Sequence, residues 1–433
     1  MTSQLAPATT AAATPVSYAP ELRVFVFALF FIFGGITSLN DVIIPKLKGL
    51  FTLKYAEVML VQSAFFAAYF IVSLPAAALL RRIGYMRTAA AGLMLMMLGC
   101  LLFIPASRAG LFPLFLGALF VLAAGITTVQ VVANPLVSML GRPQTAHSRL
   151  TFAQAFNSAG TTLFPYVGSL LILKGALANQ SASTLIGPAL NAYRATESIA
   201  ISHTYLGLAA ALFALSVLVW LSRRRLHEQP APHVPFLRAF GLLRQLRFAY
   251  GTLGIFLYVG AEVSIGSLIV SFLMQPTVMG LGPRDAGAHI PFYWGGAMVG
   301  RFIGAGLLKM ISPGKVLAAA AGMALLLLLI AANVGGPVAG WALLSVGLCN
   351  SIMFPTIFSL ACEGLGVRAP EGSGILCVAI VGGAIVPLLT GGSADHWGLS
   401  AALVVPAVCY LGILGFGWMA RKPSAALLIP TTA

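Results

Sequence analysis

Twelve apolar runs, each about 20 residues long, succeed one another along this chain of 433 residues. A run of that length, read as a helix, crosses the hydrocarbon of a bilayer. Inside lipid, a helix satisfies its own backbone hydrogen bonds. The expected spans are 24–45, 57–80, 87–105, 112–139, 150–173, 202–222, 248–275, 289–310, 315–333, 338–362, 372–393 and 399–420. Several connections between them are very short, so neighbouring helices must run antiparallel. Composition agrees: 59% of residues are hydrophobic and 8% charged, against about 25% charged in an ordinary soluble domain. The fold class expected is an all-α membrane protein of twelve transmembrane helices.

The formal charge of +15 raises the question of nucleic acid. The basic residues fall in short connections between apolar runs, which is the pattern of the positive-inside rule and excludes a nucleic-acid partner. Of the 25 Lys and Arg, only Lys46, Lys48, Lys54, Arg108, Lys174, Arg194 and Arg284 lie on one side; Arg301 lies within a span, and all the others lie on the opposite side. That bias puts both termini in the cytoplasm. The five cysteines sit in or near apolar runs, with no CxxC and no Cys/His cluster, so they read as small buried hydrophobes. No metal site is certain, and no cofactor is expected.

Residues 1–23 are rich in Ala, Thr and Pro and read as a disordered cytoplasmic tail rather than a cleaved signal. Residues 223–247 form the one long polar connection, with six arginines, and read as a basic cytoplasmic linker against anionic head groups. It separates six-helix bundles at 24–222 and 248–420, and residues 421–433 form a second cytoplasmic tail. A weak internal repeat supports the division. Segment four reads GITTVQVVANPLVSML and segment ten GLCNSIMFPTIFSLAC; aligning Pro135 with Pro355 sets Gln130 on Asn350. Segments five and eleven also each carry a late proline, Pro165 and Pro387.

Few ionisable residues lie inside the spans, and a charge in that position is costly enough to mark an ion or substrate pathway. Asp41, in SLNDVIIPKLK, shares a helix face with Ser38, and Asn40 lies off that line. It reads as a coupling carboxylate or as a structural partner of Lys46 and Lys48. Glu262, in YVGAEVSIGS, is flanked by Gly260, Ser264, Gly266 and Ser267. It reads as a proton carrier, as part of a sodium site built from hard oxygen donors, or as a partner of Arg301. Gln130 and Asn134 on segment four, with Gln154, Asn157 and Ser158 on segment five, form polar stripes. Amides both donate and accept, as a sugar's hydroxyls require, and they can equally bind helices together. Phe33, Phe156, Phe354 and Tyr258 could wall a sugar site. Arg301 could balance a carboxylate, bind substrate oxygen or snorkel to the interface. Glu363, Asp395 and His396 lie at helix ends and read as gate or loop contacts. No P-loop, HExxH, GxSxG or Rossmann fingerprint is present, so no enzyme activity is expected and an ion or substrate gradient must supply the energy.

SLNDVIIPKLKGLF, VQSAFFAAYFIVSLPA, QVVANPLVSMLG, FAQAFNSAG, YVGAEVSIG and FPTIFSL together resemble the fucose–galactose–glucose symporter family of the major facilitator superfamily, over about residues 24–420. The resemblance implies two pseudo-symmetric six-helix bundles, a central sugar cavity with alternating access, a bacterial inner-membrane location and a monomer. It also implies that Asp41 takes part in coupling and that Gln154 and Asn157 line the sugar site. Where the fucose branch has a glutamate this chain has Gln130. Where that branch has bulky aromatics and a tyrosine, this chain has Gly266, Ala297 and Phe354. Gln130 with YVGAEVSIG is similar to the glucose/galactose and N-acetylglucosamine branch. The expectation is a hexose symporter for glucose and galactose, coupled to sodium or protons. Asp41 and Glu262 would couple the ion; Ser38, Asn40, Gln130, Asn134, Gln154, Asn157, Asn350, Phe354 and Arg301 would line the substrate. An N-acetylglucosamine or fucose symporter, an exporter of the same fold and a sugar sensor are the alternatives.

Overall fold

The computed structural model describes residues 21–51, 55–109, 111–172, 187–224 and 236–422. Nine α-helices come first: α1 Glu21–Phe51, α2 Tyr55–Ile83, α3 Tyr85–Ala109, α4 Phe112–Met139, α5 Ala146–Ile172, α6 Pro188–Leu221, α7 Leu246–Leu273, α8 Pro283–Met310 and α9 Pro313–Asn333. The last three spans are each interrupted: α10 Pro337–Asn350 with α11 Met353–Cys362, α12 Ala369–Val378 with α13 Gly382–Trp397, and α14 Leu399–Ala402 with α15 Val404–Met419. Twelve rods result, nine of them with described stretches long and apolar enough to cross a membrane, and no strand occurs among the described residues.

Local chemistry fixes the helix boundaries. Prolines open α4, α6, α8, α9 and α10, where a missing backbone N–H costs nothing. Gly84 alone turns the chain between α2 and α3, at φ 87°, a conformation that side-chain-bearing residues rarely adopt. Hydropathy misplaces some starts. α6 begins at Pro188 rather than near 202, because the polar stretch NAYRATES continues the helix. Likewise α8 begins at Pro283 rather than near 289. Hydropathy detects lipid contact, and a helix does not stop where lipid does.

α1–α6 pack on one another, and α7–α15 do the same. Matched contacts recur in the two halves. Gly160 of α5 lies against the carbonyl of Phe31 in α1, and Gly382 of α13 lies against the carbonyl of Phe256 in α7. A Cβ at either glycine would collide with that oxygen, so small residues set these helix approaches. Arg23, near the start of α1, donates to the Leu140 carbonyl after α4 at 3.0 Å. Arg247, at the start of α7, donates to the Leu360 carbonyl near the end of α11 at 3.1 Å. Each arginine caps carbonyls that a helix end leaves without intrahelical partners.

The exterior is apolar. Leu221, Leu388 and Trp397 are each about 70% exposed, as lipid-facing residues are. All five cysteines are free thiols and at least partly buried.

Candidate functional site

The two prolines that register the repeat also build the site. Proline has no N–H, so it frees the carbonyl four residues earlier in its helix. Pro135 frees Val131, and Pro355 frees Ser351. Both carbonyls have found donors. Ser373 of α12 donates to Val131 at 2.8 Å, tying the second half to the first. Arg301 of α8 donates through Nε to Ser351 at 3.3 Å. The helix yields only at Pro355, where α10 and α11 part at Ser351–Ile352; α4 runs through Pro135 unbroken.

Five residues before each proline sits an amide held by tyrosine. In the first half, Tyr69 of α2 donates to Oε1 of Gln130 at 2.8 Å. In the second half, Asn350 is a hub. Its Nδ2 donates to the Tyr293 hydroxyl at 2.8 Å, and its Oδ1 accepts from the Tyr410 hydroxyl at 2.7 Å. The Tyr258 hydroxyl approaches the Asn350 carbonyl at 3.2 Å and donates to Oε1 of Glu262 at 2.6 Å. Tyr293 also reaches the Glu262 carbonyl at 3.4 Å. Asn350 and the three tyrosines are at most 1% exposed, while Glu262 itself is only partly buried. A buried polar frame therefore holds the Glu262 carboxylate by one of its oxygens.

Arg301 crosses the boundary between the halves. Besides the Ser351 carbonyl, it donates through one Nη to the Gln154 carbonyl at 3.1 Å and to the Ser158 hydroxyl, both on α5. Its charge also acts on Glu262 through space. Gln154 and Ser158 are buried.

The remaining expected residues have distinct placements. Asn157 donates through Nδ2 to the Phe30 carbonyl at 3.2 Å, binding α5 to α1 and leaving Oδ1 as an acceptor. Asn134 is fully buried, and neither atom of its amide has a hydrogen-bond partner among the described residues. The Ser38 hydroxyl turns back to the Gly35 carbonyl of its own helix. Phe354 packs between Tyr258 and Phe358, with ring centroids 6.3 and 6.1 Å away. Phe156 stacks on Phe27 at 5.2 Å. Ser264 and Ser267, flanking Glu262, donate to the carbonyls of Gly260 and Val263 on their own helix. The side chains of Asn40 and Asp41 lie outside the described residues.

Further contacts join the halves at the end of the bundle where Arg81, Arg247 and Arg368 lie. Arg81 of α2 pairs with Glu371 of α12, which Arg368 also holds at 2.9 Å. His147 of α5 meets the Ser359 hydroxyl at 2.6 Å and Glu363 at 3.6 Å. Glu363 pairs in turn with Arg247. Ser148 donates to the Ala305 carbonyl at 2.6 Å. This basic end is thus closed by polar cross-links between the halves.

A family model described as Major Facilitator Superfamily matches residues 26–376. The chain belongs to that superfamily. It is 48% identical to the glucose/galactose transporter of Brucella abortus, over 91% of this chain and 92% of that protein. It is 33% identical to the L-fucose-proton symporter of Escherichia coli, over 90% of each. Among solved structures it is similar to the superfamily transporter FucP in the outward conformation. The TM-score there is 0.84 at 31% identity, covering 94% of this chain and all of that one. The fold and the two-half architecture therefore stand on independent grounds.

Tyr69, Tyr293 and Tyr410 were not visible as site residues in the sequence, where each reads as one more aromatic in an apolar run. The signal available was the Gln130/Asn350 register, which says that two amides occupy matched depths but not what touches them. Ser264 and Ser267, expected to offer oxygen to a cation, donate their protons to their own helix, which leaves lone pairs on each oxygen.

Proposed function

We propose that this chain is a proton-coupled hexose symporter of the bacterial inner membrane, importing glucose and galactose as a monomer with both termini in the cytoplasm. The observation that carries the reading is the Glu262 carboxylate. It sits in the middle of a spanning helix and is held at one oxygen by Tyr258. A charge so placed is costly, and reversible neutralisation by a proton makes it useful. The hydroxyl donor favours a proton over sodium, which prefers a cage of several oxygen ligands, by analogy with other hard cations. The name of the Escherichia coli relative, a fucose-proton symporter, points the same way.

The sugar is assigned to the first half. Tyr69 fixes Gln130 so that its Nε2 remains a donor, Asn157 keeps Oδ1 as an acceptor, and Asn134 offers an uncommitted amide. Gln154 extends the stripe, and α1 contributes Ser38, Asn40 and Asp41 in this reading. Asp41 serves as a second coupling carboxylate. Phe354 lies at the wall, while Asn350 and Arg301 act on the coupling side. Glucose or galactose fits better than an N-acetylated sugar, because Trp294 already fills the space beside Gly266, 3.3 Å from where a Cβ would stand. The cross-linked basic end is assigned as the cytoplasmic end, so this state is the one closed to the cytoplasm. Sugar and proton binding then permit the halves to rock and the cross-links to part.

The test is uptake of radiolabelled glucose, galactose, fucose and N-acetylglucosamine into proteoliposomes under an imposed proton or sodium gradient. Accumulation of glucose and galactose driven by protons is expected. Uptake of none of the four sugars would overturn the reading, and accumulation driven only by sodium would overturn the ion assignment.

A further inference from the structure

We propose that His147 is a second proton-binding site, apart from Glu262, and that a proton taken up there from the cytoplasm locks the two halves together and slows transport. The inference rests on the reading of this chain as a transporter whose basic end is cytoplasmic. It does not depend on which ion is coupled to the sugar.

His147 stands in the first turn of α5 and is buried. Its ring meets the second half at both nitrogens. Nδ1 lies 2.6 Å from the Ser359 hydroxyl of α11, and Nε2 lies 3.6 Å from Oε1 of Glu363, the residue that ends α11. Ser359 decides the tautomer. A hydroxyl has one proton to give. Ser359 gives it to its own helix, to the Pro355 carbonyl at 2.7 Å with the Thr356 carbonyl sharing at 3.2 Å. Ser359 must therefore accept from His147, so Nδ1 carries the ring's proton. In a neutral imidazole the other nitrogen then holds a lone pair. Nε2 turns that lone pair toward a carboxylate oxygen: two acceptors face each other with no proton between them.

One proton, taken from cytoplasmic water onto Nε2, makes both nitrogens donors and turns this contact into a charge-assisted bond between the halves. Nothing else has to break. Nδ1 keeps Ser359, and Glu363 keeps Arg247 through its other oxygen, Oε2. The charged groups on the neighbouring elements have their own partners. Arg247 of α7 also donates to the carbonyls of Leu360 and Lys422. Arg149 of α5 and Arg23 of α1 are held by the carbonyls of Val137, Ser138 and Leu140 at the end of α4. Arg81, Glu371 and Arg368 pair among themselves between α2 and the start of α12, and Lys309 in the last turn of α8 is exposed. Histidine is the side chain whose charge ordinarily changes between about pH 5 and 8. The added bond is thus present at low pH and lost as pH rises. Protons that enter with sugar act back on the gate, and an acidified cytoplasm holds it shut.

The experiment measures galactose exchange in proteoliposomes with equal galactose and equal pH on both sides, in the Glu262→Gln background, so that the titration of Glu262 plays no part. Exchange is expected to be about fivefold slower near pH 5.5 than near pH 7.5. His147→Asn can still donate to Ser359 but does not titrate, and should make exchange fast at both. Glu363→Gln removes the charge that Nε2 would pair with and should flatten the profile as well; it gives the same reading if His147→Asn does not insert. A pH ratio unchanged by His147→Asn would overturn the proposal, even if exchange slows overall, because a packing residue does that. A flat profile before His147 is changed would overturn it too. Should the wild type carry no hexose, the symporter reading fails, and the gate is read without sugar. Spin labels on Gln144→Cys and Val367→Cys, both exposed on opposite halves at this end, in a cysteine-free background, should then show a second, longer distance near pH 7.5 that vanishes near pH 5.5. With His147→Asn the longer distance should remain at both. Distances that do not respond to pH would sink the proposal.

Discussion

α4 and the α10–α11 rod occupy matched places in the two halves, carry an amide and a proline at the same spacing, and have become different devices. In α4 the helix survives its proline, one tyrosine orients Gln130, and Asn134 keeps its amide uncommitted. In α10–α11 the helix is interrupted, three tyrosines converge on Asn350, and the freed carbonyl anchors a cation. Adaptable donors and acceptors suit a polyol that must bind and leave. A saturated, closed frame suits a charge whose position must not drift. The difference teaches that a duplicated scaffold can divide labour, and it supports the proposed reading in which the first half supplies most of the substrate contacts and the second half, through Glu262, the main coupling group.

The strongest way to break that division is Glu262→Gln. Proton-driven galactose accumulation should fall by about 100-fold, while counterflow persists, as measured by radiolabel uptake in the two modes. Retained accumulation would move coupling to the first half and Asp41. Next in size is the latch. Arg81 and Glu371 are 11% and 7% exposed, and removing one partner of a buried pair leaves an uncompensated charge worth about 3 kcal/mol. Glu371→Gln should therefore open the basic end. Ala77 faces Gly374 across that interface, so maleimide labelling of Ala77→Cys should rise in the Glu371→Gln background. Unchanged labelling would mean that the other cross-links suffice.

A pair of matched substitutions sharpens the comparison further. Asn350→Leu strips two tyrosine hydroxyls, those of Tyr293 and Tyr410, of a side-chain partner and should cost about 2 kcal/mol in thermal unfolding in detergent. Gln130→Leu strips one, should cost less than about 1 kcal/mol, and should instead weaken galactose binding by about tenfold. Equal stability losses would mean that the two amides play one role. The smallest effect is expected from the prolines. Pro355→Ala restores an N–H that competes with Arg301 for the Ser351 carbonyl and should slow accumulation by a factor of about three. Pro135→Ala competes with Ser373 for Val131 and should leave coupling intact, read as the ratio of accumulation to counterflow.

Much of this was legible in the sequence. Twelve runs of spanning length, a basic linker and the Pro135/Pro355 register were enough to expect twelve helices in two halves, because lipid contact imposes a length and duplication leaves a phase. Asp41 and Glu262 stood out because charge is rare where water is absent. The partners did not stand out. Tyr293 and Tyr410 lie 57 and 60 residues from Asn350. Arg301 reaches back 143 residues to Ser158. Helical periodicity assigns a residue to a face but not to the neighbour that faces it. Nor does a proline, read alone, say which donor will take the carbonyl it frees; Ser373 and Arg301 were found only once the helices were packed.

The central claim is that Glu262 of the second half is required to carry the coupling proton, and sugar-induced proton movement tests it most directly. In a lightly buffered suspension of proteoliposomes without a gradient, galactose added outside should raise the external pH as protons enter with it. The account predicts that this alkalinisation is present in the wild type and absent in Glu262→Gln, while Gln130→Leu retains it at saturating galactose. Galactose-induced alkalinisation of normal size in Glu262→Gln would contradict the account.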